Sequence, residues 1–211
     1  MRRCVIVGAA AIGDYEAAGR LLRPEDFFVF CDGGLRHQAG LGAAPDLIVG
    51  DFDSHPRPET EEETIVLPRE KDDTDTAFAV KEALRRGFSE FLLLGAAGGR
   101  LDHTLGNLAL LLLLDSRGAH GVLADDWSEA EIVSHASAYV EAAFPYFSLL
   151  ALDGPAEGVT VTGAKYPLQN AVIPCDEPYG ISNEVLPGGR AKITVARGRL
   201  LLVRVRRDPK M

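Results

Sequence analysis

Residues 91–114 read FLLLGAAGGRLDHTLGNLALLLLL. A short apolar run, Phe91–Leu94, gives way to a glycine-rich turn, Gly95–Arg100, and then to a helical stretch, Leu101–Leu114. Strand, tight turn and helix in that order form the repeating unit of a parallel sheet, whose strands are joined by helical crossovers. Outward from it, the same alternation places strands at Cys4–Val7, Phe27–Cys31, Leu47–Val49, Thr64–Leu67 and Gly121–Ala124, and helices at Tyr15–Leu22, Leu35–Gly40 and Thr76–Arg86. From Trp127 the helical period is gone. Short β-rich runs follow at Phe144–Leu152, Gly158–Thr162, Gln169–Ile173, Ala191–Ala196 and Leu200–Arg204, separated by turns such as Asp153-Gly154-Pro155 and Pro187-Gly188-Gly189. The expected fold is an α/β N-terminal domain with a mainly parallel, Rossmann-like sheet over residues 1–126, followed by an all-β sandwich C-terminal domain over 127–211, with Trp127–Val140 unassigned.

The 211 residues, 46% hydrophobic and 25% charged, have the balance of a globular chain able to bury a core without staples. Lys and Arg number 22 against 31 Asp and Glu, for a net charge of −9, and RVRR near the end is too short to track phosphates, which argues against nucleic acid as a partner. An acidic chain that handles phosphates needs a divalent cation between its carboxylates and the ligand. Cys4, Cys31 and Cys175 form no CxxC pair and leave an odd count, pointing to a reducing, cytoplasmic setting. The apolar run Leu105–Leu114 is roughly half of what a membrane span requires, so no membrane is expected. Met1-Arg2-Arg3 before CVIVGAAAIG imitates a signal peptide, but reads better as a first strand entering a Gly/Ala turn.

Several loops carry chemistry. Asp51 and Asp53 follow Leu47–Val49; on extended chain their side chains share one side while Phe52 turns into the core, giving a hard-cation site of the kind Mg2+ accepts. An Asp-rich turn with local hydrogen bonds is the other reading. Lys71-Asp72-Asp73-Thr74-Asp75 stands before a helix, where acidic and hydroxyl residues also serve as caps. The turn holding Gly98 and Gly99 offers backbone N–H groups to an anion, and Arg100 a two-pronged phosphate fork, with packing alone as the alternative. In the helix, Leu101, Leu105, Leu108 and Leu112 are expected to form the core stripe, Asp102 lies off it, and His103 and Asn107 share another face. Asp32 and Asp46 add two further loop carboxylates. In the β half, Tyr166 within GAKYPL and Ser182-Asn183-Glu184 are the polar segments least explained by strand pairing, and suit a small aromatic ligand.

Taken together, these motifs resemble the thiamine pyrophosphokinase family: DGGLR at Asp32–Arg36, PDLIVGDFDS at Pro45–Ser54, KDDTD at Lys71–Asp75, GAAGGRLDH at Gly95–His103 with Asn107, GAKYPL at Gly163–Leu168 and ISNE at Ile181–Glu184. The resemblance implies transfer of a pyrophosphoryl group from ATP to the thiamine hydroxyl, releasing AMP, with Mg2+, in a homodimer that holds thiamine between the α/β domain of one subunit and the β domain of the other. It implies Asp51, Asp53 and Asp75 as metal ligands, with Arg100 and Asp102 completing the catalytic set. Asp32, Asp46, Lys71, Asp72, Thr74, Gly98, Gly99, His103 and Asn107 would line the nucleotide, and Tyr166, Ser182 and Asn183 the thiamine. The general base stays open between Asp75 and Asp102. Competing readings are a pyrophosphokinase for another hydroxymethyl heterocycle such as a pterin, a Mg2+-dependent phosphohydrolase, and a non-catalytic thiamine or nucleotide sensor. The turn Gly8–Gly13 matches no fingerprint.

Overall fold

The first strand, β1 (Cys4–Val7), is buried at every position, as a strand covered on both faces must be. In this computed structural model, which describes residues 2–52, 59–68, 70 and 72–206, the chain divides into two compact units, Met1–Asp126 and Trp127–Met211. After β1 the first unit runs α1 (Tyr15–Gly19), β2 (Phe27–Cys31), a 3-10 turn (Asp32–His37), α2 (Gln38–Leu41), β3 (Leu47–Gly50), β4 (Thr64–Val66), α3 (Asp75–Arg85), β5 (Glu90–Leu94), α4 (Leu101–Ser116) and β6 (His120–Ala124). Its strands lie in the order β6-β5-β1-β2-β3-β4, and each neighbouring pair is parallel. Val5 and Val7 of β1, Phe30 of β2 and Leu92 and Leu94 of β5 form one core cluster with Ala18 of α1 and Leu41 of α2, while α3 packs on β1, β2 and β3.

The structure corrects two helical expectations. Leu35–Gly40 is not one helix: the 3-10 turn comes first and a single α turn follows, so Asp32 is drawn into helical structure. On α4 the buried residues are Asn107, Leu110, Leu111 and Leu114, whereas Leu101 and Leu105 are 70% and 56% exposed. A helix carrying leucine on nearly every side has no polar face to fix its rotation, and here Leu111 and Leu114 settle into the space that Gly121 of β6 leaves open.

The second unit contains β7 (Ser128–Val133), β8 (Ala138–Glu141), β9 (Tyr146–Leu150), β10 (Ala156–Thr162), β11 (Leu168–Ile173), β12 (Gly180–Asn183), β13 (Arg190–Thr194) and β14 (Leu200–Val205). They form the ladders β12-β9-β14-β7 and β11-β10-β13-β8, antiparallel throughout, and both contribute to one apolar cluster that includes Phe147, Leu149, Val159, Val161, Ile193 and Leu202. β7 and β8 fill the unassigned stretch. Their polar positions are neutralised in place: Glu131 pairs with Arg204, Glu129 takes Arg206 at 2.9 Å, and the Arg190 guanidinium lies 4.4 Å from the Tyr139 ring centre. Ser182-Asn183 is also strand rather than free loop, because β12 pairs with β9, with an irregular register between Gly180 and Asn183.

Candidate active site

Three carboxylates meet beyond the carboxyl ends of β2 and β3. Asp32 opens the 3-10 turn after β2 with φ of 35°, a left-handed conformation uncommon for a residue with a Cβ. Asp51 follows β3 through Gly50, where a Cβ would stand 3.0 Å from that of Asp32, so glycine lets the two strand ends close together. Asp75 is the first residue of α3, which Thr74 caps by accepting the Ala77 N–H at 3.1 Å. One oxygen from each of Asp32, Asp51 and Asp75 lies within 4.8 Å of the others, with Asp32 buried and the other two half-buried. At that separation each pair of charges repels by about 3 kcal/mol for an effective dielectric near 20, more than a surface ion pair returns. A hard divalent cation offsets this repulsion, and an all-oxygen donor set is what Mg2+ takes. Beside the group, the Cys31 thiol is pushed far above its ordinary range by burial and then by the charge of Asp75, so it stays protonated and inert.

The remaining acidic residues separate from this group. Phe52 adopts φ of 56° and is half-buried, so the chain does not continue extended from Asp51 and the expected alternation through Phe52 fails; Asp53 and Lys71 lie outside the described residues. Asp46 stands at the amino end of β3, the opposite edge of the sheet, where it accepts from Arg2 at 2.9 Å and from the Phe28 N–H at 2.8 Å, a structural clip rather than a ligand contact. Asp72 is exposed, and neighbouring Asp73 holds Lys81 at 2.6 Å. Thr74 is occupied by its cap. Asp102 is no member of the three-carboxylate group: it grips Arg100 through two hydrogen bonds, 3.1 and 2.5 Å, and this guanidinium holds its carboxyl down at about 2.

A cavity of about 330 Å³ opens where the turn after β1 meets the glycine-rich loop after β5. Its lining includes Ala9–Ala11, Thr76, Gly98, Gly99, Arg100, His103 and Asn107. The two loops are braced by Gly8 N–H to Leu94 O and Ala10 N–H to Gly95 O, both 2.8 Å, and a Cβ on Gly8 would come within 2.6 Å of the Gly95 carbonyl. Asn107 is buried and its amide donates to Ala96 O at 2.6 Å, so it shapes the loop from behind, whereas His103 is exposed at the rim. Ala9–Ala11 belong to the Gly8–Gly13 turn, which matches no fingerprint because alanine carries no chemical signal, and Thr76 reads in the sequence only as the start of a helix.

The second unit has a cleft of about 590 Å³ lined by residues that include Tyr166, Leu168, Tyr179, Ile181, Ser182 and Asn183. Tyr166 is 58% exposed, and the ammonium of Lys165, itself paired with Glu184 at 2.7 Å, lies 5.6 Å from its ring centre. Ser182 is exposed, with φ of 58°. Asn183 differs from expectation. Its side-chain oxygen accepts from the N–H groups of Tyr166 and Glu184, at 3.1 and 2.9 Å, and its amide donates to Tyr166 O at 2.8 Å, so the side chain builds the cleft wall.

By class, an acidic group at the carboxyl edge of a parallel sheet beside a cavity lined by a glycine-rich strand-to-helix loop is the arrangement of an enzyme that handles phosphates. Residues 18–122 match the family model described as thiamin pyrophosphokinase, catalytic domain, and residues 135–200 the one described as thiamin pyrophosphokinase, vitamin B1 binding domain. A thiamine pyrophosphokinase of Bacillus subtilis is 30% identical over 171 residues, covering 77% of this chain and 79% of that protein. Among solved structures, thiamin pyrophosphokinase from Geobacillus thermodenitrificans superposes with a TM-score of 0.84 at 26% identity, covering 99% of this chain and all of the other, and a family member from Enterococcus faecalis with 0.77 at 27%, with the same coverage. The chain belongs to the thiamine pyrophosphokinase family.

Proposed function

We infer that the chain transfers a pyrophosphoryl group from ATP to the hydroxyl of thiamine, giving thiamine diphosphate and AMP, with Mg2+ as cofactor. The observation that carries this reading is the convergence of Asp32, Asp51 and Asp75 in the unit that matches the family's catalytic domain. These three carboxylates would hold Mg2+, which when bound neutralises triphosphate charge. The nucleotide fits the cavity behind the glycine-rich loop, where backbone N–H groups and the start of α4 draw the phosphates and Arg100 presents its fork. Reaching a phosphate, Arg100 exchanges Asp102 for a stronger anion. Asp75, which stands in the carboxylate group, is the acceptor for the thiamine hydroxyl proton, whereas Asp102 lies outside that group on the exposed start of α4. Catalysis then rests on placement and electrostatics, as in other phosphoryl transfers.

Thiamine occupies the cleft of the second unit, its cationic ring over the exposed face of Tyr166 and its aminopyrimidine within reach of Ser182. The enzyme acts as a homodimer, the arrangement the family resemblance implies, and works in the cytoplasm; free Cys4, Cys31 and Cys175 support a reducing setting, and among the described residues no helix is long and apolar enough to cross a membrane. The test is phosphorus NMR together with chromatography of nucleotides from ATP, Mg2+ and thiamine: AMP formed in step with thiamine diphosphate is expected. ADP as co-product, orthophosphate without thiamine turnover, or turnover of a pterin alcohol in its place would overturn this assignment.

A further inference from the structure

His37 ends the 3-10 turn that Asp32 begins, and it is 2% exposed. Both ring nitrogens are engaged: Nε2 lies 2.9 Å from the Ala10 carbonyl and Nδ1 2.8 Å from the Tyr15 hydroxyl. A carbonyl oxygen only accepts, so this network assigns the proton to Nε2, and Nδ1 then accepts from the Tyr15 O–H. Burial lowers the imidazole pKa, in keeping with that neutral form. Ala10 lines the 330 Å³ cavity, and its N–H donates to Gly95 O, the first residue of the glycine-rich loop. One buried ring thus links the turn that carries Asp32 to the backbone that walls the cavity.

We propose that His37 is a positioning residue for the nucleotide: by donating to Ala10 O, it fixes the Ala9–Ala11 wall in register with the Asp32 turn. The inference rests on the reading of that cavity as the ATP site. No motif in the sequence marks His37, and its two ring hydrogen bonds go to Tyr15 and Ala10 rather than to the three clustered carboxylates. Its influence should therefore fall on nucleotide binding and leave the thiamine cleft alone.

Steady-state kinetics of the full chain test this with His37→Ala, His37→Gln, Tyr15→Phe and Arg100→Ala. Leaving the Ala10 carbonyl without its donor should raise the KM for ATP about tenfold, the worth of one buried hydrogen bond. The KM for thiamine and kcat should stay within about twofold, since uniform binding is what was lost. His37→Gln, whose amide donates again, should recover most of the change, and Tyr15→Phe, which leaves the tautomer unenforced, should fall between. An unchanged ATP KM in His37→Ala, or a Gln variant no better than Ala, overturns the proposal. Arg100→Ala separates the two layers: if it raises the ATP KM while His37→Ala does not, only the role of His37 fails; if neither moves it, the cavity is not the ATP site and the underlying reading falls with it. Should His37→Ala not fold, nitrogen-15 NMR of the native protein decides. A shift of the His37 Nε2–H signal on adding a non-hydrolysable ATP analogue supports the proposal, and no shift together with an unaltered Tyr15→Phe overturns it.

Discussion

The two units carry candidate sites of opposite kinds. In the first, two of the three clustered carboxylates follow strand ends: β3 is buried at all its positions, and Asp32 itself is 7% exposed. In the second, the cleft is made of surface rings, with Tyr166 and Tyr179 each 58% exposed and Ile181 48%. Carboxylates that align a triphosphate gain from rigidity, since a misplacement of ~1 Å costs about 100-fold in rate. A small aromatic cation gains instead from rings that it can cover when it binds. Damage to the two sites should therefore register in different kinetic constants.

The largest effect is expected in the first unit. Asp51→Asn or Asp75→Asn should lower kcat/KM by about 100-fold to 1,000-fold, the range seen when one electrostatic stabiliser is removed. Neither variant should be less stable in metal-free buffer, because each removes a repulsion between carboxylates within 4.8 Å of one another. Loss of less than tenfold at saturating Mg2+ would take that residue out of the cation site. In the second unit, Tyr166→Ala should raise the KM for thiamine about tenfold, as loss of a ring and its cation–π contact implies, and leave the KM for ATP within about twofold. A fall in kcat with both KM values steady would erase the contrast between the units.

How much of this could be read from the sequence follows the same division. Cys4–Val7 and Phe27–Cys31 were legible as strands because a run of apolar residues without alternation has to be covered on both sides. β7 and β12 were not, since SEAEIV and GISN place polar residues where only a partner strand or an arginine explains them. Direction was the hardest property to see. Asp46 and Asp51 flank the same strand and both read as site candidates, the first as a nucleotide-lining carboxylate and the second as a metal ligand, yet they stand at opposite ends of it: Asp46 is clipped to Arg2 and the Phe28 N–H, and only Asp51 joins the three-carboxylate group. Asp32 counted for little as a lone loop residue, and its left-handed conformation and burial arise from the packing of β2 against β3. Asn183 reads in the sequence as a ligand contact, whereas its three bonds to neighbouring backbone depend on a fold that brings 166 beside 183.

Stability sharpens the contrast at a smaller scale. Asn183→Ala strands two N–H groups and a carbonyl inside the second unit and should cost about 2–3 kcal/mol, whereas Asn107→Ala, which releases Ala96 O in the first, should cost about 1–2 kcal/mol. Because the chain divides into two compact units, a single melting curve does not apportion such losses, and amide exchange does. Protection at the Tyr166 amide should drop in Asn183→Ala and hold in Asn107→Ala. Equal loss in both would mean that the two units unfold as one.

The smallest effect concerns how α3 is held in the first unit. Glu82 accepts from Arg85 at 2.7 and 2.8 Å and from Arg86 at 2.8 Å, and Arg86 continues to Glu63 at 2.6 Å, tying the helix to the segment that enters β4. The hydrogen bond from Arg85, joined by that from Arg86, brings the Glu82 carboxyl down to about 2 from 4.5. A folded-state value below the unfolded one means that the native state binds fewer protons, so this stabilisation is present in full above pH 4.5 and disappears as pH falls towards 2. The Glu82 side chain is only 10% exposed but that of Arg85 is 73% exposed, so water screens much of the attraction, and the contribution is about 1 kcal/mol rather than the full linkage value. Denaturant unfolding should find Glu82→Gln less stable than the parent by about that amount at pH 7, with the gap narrowing below pH 4.5 and closed near pH 2. A gap that persists unchanged through that window would assign Glu82 a packing role and leave the arginine pair without influence on the helix.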